Sequence, residues 1–234
     1  MPALSPASSN HLLAALPPEV LARLQPQLKQ VSLARGQVLY ESGDSLDYVH
    51  FPIDCIVSLL YTLENGGAAE IAVVGNEGLV GVALFMGGES TPSRALVRGA
   101  GTAWRLEGQR LKDEFNRHGE MLLLMLRYTQ TLIMQMAQTA ACNRHHSVDQ
   151  QLCRWLLLTL DRQPGNQLAV TQEMIANMLG VRREGVTDAA GKLQNLGVIE
   201  YRRGKITVLD RPRLERHSCE CYAVVRKETE RLLA

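Results

Sequence analysis

Thr171-Gln-Glu-Met-Ile-Ala-Asn-Met-Leu-Gly180-Val-Arg-Arg-Glu-Gly-Val-Thr-Asp-Ala-Ala190-Gly-Lys-Leu-Gln-Asn-Leu196 is the stretch that decides the fold. Ile175, Met178 and Leu179 fall on one face of a first helix, Ala176 is small enough for a close crossing, and Thr171 stands where an N-cap is wanted. Gly180 supplies the left-handed conformation that ends a helix. Val186, Ala189, Ala190, Leu193 and Leu196 then resume the helical period on a second helix. Two short helices hinged on a glycine are a helix-turn-helix, whose expected partner is duplex DNA. The second helix opens with Arg182, Arg183, Glu184 and Thr187 toward solvent, and the N-terminal end of such a helix is the part that enters the major groove. Arginine forks onto the O6 and N7 of guanine, and glutamate accepts from the N4 amine of cytosine.

The residues after Leu196 strengthen the case for DNA. Gly197-Val-Ile-Glu-Tyr201 and Lys205-Ile-Thr-Val-Leu209 are β-rich runs joined by the basic turn Arg202-Arg203-Gly204, which makes a hairpin wing. Between Gly180 and Arg213 there are eight Lys/Arg against four Asp/Glu; Arg202, Arg203 and Lys205 cluster at the hairpin tip, placed to meet phosphates, and Lys192 is a further expected DNA-binding residue. The chain as a whole carries only +1, but residues 1–142 hold ten basic against thirteen acidic groups, and 143–234 fifteen against eleven. Charge therefore assigns DNA to the second half. A winged helix that binds protein instead of DNA is the competing class.

N-terminal to this segment the period is helical from about Leu111 to Thr139. Leu122, Met125, Thr129, Leu132 and Met136 form one stripe; Leu123, Leu126, Ile133, Ala137 and Ala140 form a second beside it. One stripe suffices to pack the helix on its own chain, leaving the other for a copy of itself in a parallel coiled coil. The first stripe is assigned to the homodimer contact. A two-fold dimer sets two reading heads about one DNA turn apart, so the operator is expected to be roughly palindromic. A hinge is expected near Cys142-Asn143-Arg144, with a brace helix after it over 147–161 carrying Val148, Leu152, Trp155, Leu156 and Leu160 in its stripe.

Residues 31–107 change period. Short β-rich runs such as Ile56-Val-Ser-Leu-Leu-Tyr, Glu70-Ile-Ala-Val-Val and Arg94-Ala-Leu-Val are punctuated by glycines at intervals suited to a sandwich or roll. One or two short helices precede them, with Pro17-Pro18 opening the second. The expected architecture is α+β: a jelly-roll-like β-roll (11–111), a dimerisation helix (112–142) and a winged helix-turn-helix (143–234).

No apolar run approaches a membrane span, and Met1–Asn10 reads as a disordered lead-in without the basic and apolar regions of a signal peptide, so a cytoplasmic protein is expected. Five cysteines make no secreted-type disulfide framework. Cys219-Glu-Cys221 near His217, and Cys142 near His145 and His146, each lack the spacing of a structural zinc ligand set, so no metal is assigned. The β region carries only His50, short of the two or three histidines a metal-dependent enzyme barrel needs, and no phosphate loop or nucleophile elbow is present. A non-enzyme is expected.

The order of parts resembles the cyclic-AMP receptor and fumarate-nitrate-reduction regulator (Crp/Fnr) family of bacterial transcription factors over nearly the whole chain. Gly36-Gln-Val-Leu-Tyr-Glu-Ser-Gly43-Asp44 is similar to that family's early β-roll signature, and Thr171 to Val186 to its DNA-binding signature. The resemblance makes Arg183 and Glu184 the main base readers, sets Thr171 and Gln172 against a phosphate, and implies RNA polymerase as a further partner. Asp188 departs from the basic residue of some members. Members that hold cyclic AMP grip its ribose with Gly-Glu and its phosphate with Arg-Ser or Arg-Thr; the matching residues here are Gly81-Val82 and Ser93-Arg94. Val82 cannot accept from a hydroxyl, and Arg94, displaced by one place in a strand, points to the opposite face. Ordinary cyclic-AMP binding is therefore not expected. Nor is an iron–sulfur cluster, since no cysteine precedes Val31, or a haem on His50 or His118. The effector stays unknown.

Overall fold

Two antiparallel sheets are built between Lys29 and Glu107 in the structure, a computed structural model that describes residues 9–64 and 66–233. Most of the lead-in read over Met1–Asn10 lies outside the described residues. Strands β1 (Lys29–Leu33), β3 (Tyr48–Pro52) and β7 (Gly101–Glu107) form one sheet in the order β1-β7-β3. Strands β2 (Val38–Tyr40), β4 (Ile56–Thr62), β5 (Ala68–Val74) and β6 (Arg94–Gly99) form the other, in the order β2-β6-β4-β5. Phe51, Val49, Ala103 and Leu106 from the first sheet share one core with Val57, Leu59, Ala72, Val74, Ala95 and Val97 from the second. Helices α1 (His11–Ala14) and α2 (Pro18–Leu24) add Leu12, Leu13, Val20 and Leu24 to it.

The four-stranded sheet is covered on both faces. Ile56 and Leu60 of β4 and Val73 of β5 point away from the roll into a second core, where they meet Leu152, Trp155 and Leu156. Burial on both sides explains why Ile56-Val-Ser-Leu-Leu is a nearly continuous apolar run rather than an alternating one. The covering element is α5 (Val148–Leu160), capped by Ser147, whose residues from Gln151 to Leu160 are all buried. It is a central helix enclosed all round, not the one-striped brace read from the sequence.

The helix expected over 112–142 is two. Helix α3 (Gly108–Phe115) ends, His118 takes a positive φ of 56°, and α4 (Glu120–His145) begins at Glu120. Helix α4 also runs past the expected hinge, so the break falls at His146-Ser147. Its seat against the roll is specific: Tyr128 Oη donates to the Leu79 carbonyl at 2.7 Å, and a Cβ on Gly78 would stand 2.4 Å from the Tyr128 ring. Gln135 Oε1 accepts from the Val73 N–H at 2.7 Å, satisfying the free edge of β5.

That seat corrects the dimer assignment. Met125 (1% exposed), Leu132 (4%) and Thr129 (7%) are buried in the chain's own core, with Met136 packed partly against it and Leu122 intermediate. The outward stripe is the other one: Leu123, Leu126 and Ile133 are 56%, 50% and 59% exposed. Both stripes have helical spacing, and only tertiary packing distinguishes them. Among the described residues no helix is long and apolar enough to cross a membrane.

Candidate nucleic-acid interface

The helix-turn-helix consists of α6 (Gln172–Leu179) and α7 (Arg183–Asn195). Thr171 Oγ1 accepts from the Met174 N–H at 3.2 Å as the N-cap of α6, and Gly180 ends that helix with φ 66° and ψ 34°. Ile175, Met178 and Leu179 of α6 and Val186, Ala189, Ala190 and Leu193 of α7 lie in the second core with α5. That burial turns the first turn of α7 outward, leaving Arg182, Arg183, Glu184, Thr187 and Asp188 exposed. Among the described residues Arg182, Arg183 and Glu184 join no ion pair, and no side chain caps the start of α7, so its first amide N–H groups face solvent with the arginines.

A three-stranded sheet, β8 (Gln167–Ala169), β10 (Lys205–Val208) and β9 (Ile199–Arg202), carries the wing. At its tip Arg203 and Gly204 both have positive φ, 49° and 76°, the pattern of a type I′ hairpin turn that Gly204 accepts and Arg203 does not favour. The Val170 N–H donates to the Gly204 carbonyl at 2.8 Å, which brings the tip beside the start of α6. Gln172 ties the parts together: its N–H donates to Tyr201 Oη at 3.2 Å, and its Oε1 accepts from Thr187 Oγ1 at 2.9 Å. Thr171 and Gln172 therefore position the reading turn against the wing. Two of the expected DNA-binding residues are already engaged, Lys192 with Asp149 at 2.9 Å and Arg202 with Glu200 at 2.8 Å. Arg203 and Lys205 are exposed and join no ion pair among the described residues.

The expected effector residues lie in the β-roll. Gly81 is left-handed, with φ 114°, and Val82 starts a short 3-10 turn with its side chain against the roll core. Ser93 is buried on Thr91, 3.0 Å between hydroxyls. Arg94 pairs across the sheet with Leu60, an outward residue, and its Nε meets Glu41 at 3.1 Å. Glu77 is half-buried against Arg162, with Nε to Oε1 at 2.6 Å. His50 sits in β3, where burial and then the nearby Arg105 cation hold its pKa down at about 4.

Two groupings go beyond what sequence pattern assembles. The first is a buried polar knot between the roll and the DNA-binding half. Glu70 of β5 accepts from Ser58 and, at 2.9 Å, from Trp155 Nε1, and pairs with Arg98 Nη1 at 3.4 Å. The Arg98 guanidinium lies 4.5 Å from the Trp155 ring centroid and donates to Thr159 Oγ1 at 3.0 Å. Alternation in β6 puts Arg98 on the outer face with Arg94, so an Arg-x-x-x-Arg spacing in a strand is the one signal that points to it. The second grouping unites both cysteine pairs: Cys142, His146, Cys219 and Cys221 have ligand atoms within 4.8 Å of one another. Each pair is too short a motif alone, and no spacing argument joins residues 77 positions apart.

Comparison with known proteins agrees with this layout. Residues 30–118 match the cyclic nucleotide-binding domain and residues 150–217 the Crp-like helix-turn-helix domain. The chain is 25% identical over 215 residues to a CRP-like cAMP-activated global transcriptional regulator of Mycobacterium tuberculosis, covering 86% of this chain and 93% of the relative. The c-di-GMP responsive global regulator CLP of Xanthomonas campestris shares the fold, with a TM-score of 0.66 at 17% identity over 81% of this chain and 98% of the other. So does a Crp/Fnr-family transcriptional regulator of Thermus thermophilus, with a TM-score of 0.65 at 23% identity over 81% and 98%. The chain belongs to the Crp/Fnr family of DNA-binding transcriptional regulators.

Proposed function

We propose that the protein binds a roughly palindromic DNA site as a homodimer, with Arg183 and Glu184 reading base edges, Arg182, Arg203 and Lys205 on phosphates, and DNA affinity set through the β-roll. RNA polymerase is the further partner of a bound regulator. The observation that carries the reading is the exposed, unpaired Arg182-Arg183-Glu184 turn beside the basic wing tip. The dimer seam is Leu123, Leu126, Gln130, Ile133, Ala137 and Ala140, which recur at alternating intervals of three and four along the outward face of α4. Gln130 is the polar member that fixes register in such a seam.

Cyclic AMP does not fit this roll. A ribose hydroxyl would meet the apolar Val82, which is partly buried against the core, and the cassette arginine stands on the outer face, bound to Glu41. The Mycobacterium relative is cAMP-activated and the Xanthomonas neighbour c-di-GMP responsive by name, and the effector of this chain need be neither. Whatever binds must favour one arrangement of roll and winged half over another. The contacts it would bias are the Glu70–Arg98–Trp155 knot and the Glu77–Arg162 pair.

Titration of the full-length protein with duplex from its own upstream region tests the reading. Affinity is expected to fall with salt by about 0.9 log units per log unit for each phosphate neutralised. Arg183→Ala should cost about 1–3 kcal/mol on the preferred sequence and flatten sequence preference, whereas Lys205→Ala should weaken all sequences alike and lower the salt slope by about one. Salt-independent binding, or equal effects of both changes on every sequence, counts against it and favours a protein-binding winged helix.

A further inference from the structure

Cys142 and His146, the C-cap residue, lie one turn apart at the end of α4, while Cys219 lies in the joint between α8 (Arg211–His217) and α9 (Glu220–Leu233) and Cys221 in the first turn of α9. Helix α9 packs along α4: the three cysteines are buried and form a cluster of their own, and His146 is half-buried. The Cys142 and Cys219 sulfurs are 3.6 Å apart, and Cys221 Sγ is 3.5 Å from His146 Nδ1. Ligands about 2.0–2.3 Å from a tetrahedral ion stand roughly 3.5–3.8 Å from one another, so two edges of the tetrahedron already have their length. All remaining edges are within 4.8 Å.

We propose that Cys142, His146, Cys219 and Cys221 bind a single zinc-class divalent ion in a closed, tetrahedral site that clamps the hinge between the dimer helix and the winged half.

The surroundings supply what such a site needs beyond its ligands. His146 turns Nδ1 toward the sulfurs, and its Nε2 is 3.4 Å from Glu220 Oε2, the carboxylate that orients a metal-bound imidazole. Gln138 Nε2 donates to Cys221 Sγ at 3.0 Å, a hydrogen bond that favours the thiolate. Arg154, buried at 4% exposure, donates to Thr139 Oγ1 at 3.1 Å, while its Nε has no hydrogen-bond partner among the described residues. Thr139 lies one turn before Cys142 on the same face of α4, which sets the Arg154 guanidinium beside the site. Three thiolates and one imidazole on a doubly charged ion leave one net negative charge, the counter-charge this buried guanidinium otherwise lacks. Binding releases the three thiol protons to water and involves no electron transfer. A cluster of several irons would hold the sulfurs farther apart than they stand here.

The site spans the break at His146-Ser147, through which the winged half hangs on the dimer helix. Its occupancy fixes the angle there whether or not DNA is bound, so its test is independent of the DNA reading.

Full-length protein purified with a thiol reductant should retain about one equivalent of zinc. After removal of the metal, cobalt(II) should give the intense ligand-field and thiolate charge-transfer bands of tetrahedral coordination. Cys219→Ser should lose that spectrum, Cys55→Ala in the roll core should keep it, and Glu220→Gln should keep it while weakening zinc about 10–100-fold in a chelator competition. Glu220→Gln, whose carboxylate is exposed, carries the test if Cys219→Ser does not fold. Octahedral cobalt, iron–sulfur absorption, a Cys142–Cys219 disulfide formed under reductant, or zinc affinity unchanged in both Cys219→Ser and Glu220→Gln would each overturn the assignment.

Discussion

Arg203 occupies a backbone position that favours asparagine or glycine, in a turn made to be read from outside. Arg203→Asn is therefore expected to raise stability by a few tenths to about 1 kcal/mol by thermal unfolding, while lowering affinity for all DNA sequences alike. A variant that loses stability would show that the Arg203 side chain holds the wing up. His50 behaves differently, because its role is internal. Its pKa is about 4 in the fold and about 6.5 in an unfolded chain, so the unfolded state binds more protons between those values. The stability it contributes is present above about pH 6.5 and lost as pH falls toward 4, an effect of about 3 kcal/mol. In His50→Gln the fall of melting temperature across that window should be shallower. Residues of this kind are legible in the sequence to different degrees. Arg183 and Glu184 can be placed because a helix start and a glycine turn are local, whereas the environment of His50 depends on Arg105, a cross-strand partner in β7.

At the scale of elements, α4 shows where local pattern stops being informative. Two stripes of helical spacing run along it; Tyr128 and Gln135, members of neither, lock it to the roll and decide which stripe faces out. The helix itself, the β-roll and the wing are all legible, since each announces a period or a turn. Its inner face is not, because it depends on a Gly78 opening and a strand edge distant in sequence. Ile133→Glu puts a charge in the centre of the proposed seam without touching the core. It should shift the protein from dimer to monomer in sedimentation experiments and cost operator affinity, while Met125→Glu should unfold the roll instead. A dimer that survives Ile133→Glu would move the contact to another surface.

The molecule as a whole is joined by burial more than by linkers. Glu70, Arg98 and Trp155 are each almost inaccessible and belong to both halves, and Ile56 and Leu60 reach the same core as the helix-turn-helix. Glu70→Ala leaves the Arg98 guanidinium enclosed without its counter-charge and is expected to cost about 3–5 kcal/mol in denaturant unfolding, in one transition that includes both halves. Two separated transitions would mean that roll and winged half are held together less tightly than the knot implies. The shared core also bears on how such regulators are exchanged in evolution and in the laboratory. A reading head whose central helix completes another domain's sheet is not a detachable cassette: grafted onto a foreign roll, α5 would present Trp155 and its neighbours to a surface never shaped for them. A useful chimaera would have to carry the outer face of β4 and β5 along with the head, so the unit of inheritance here is the interface, not either domain.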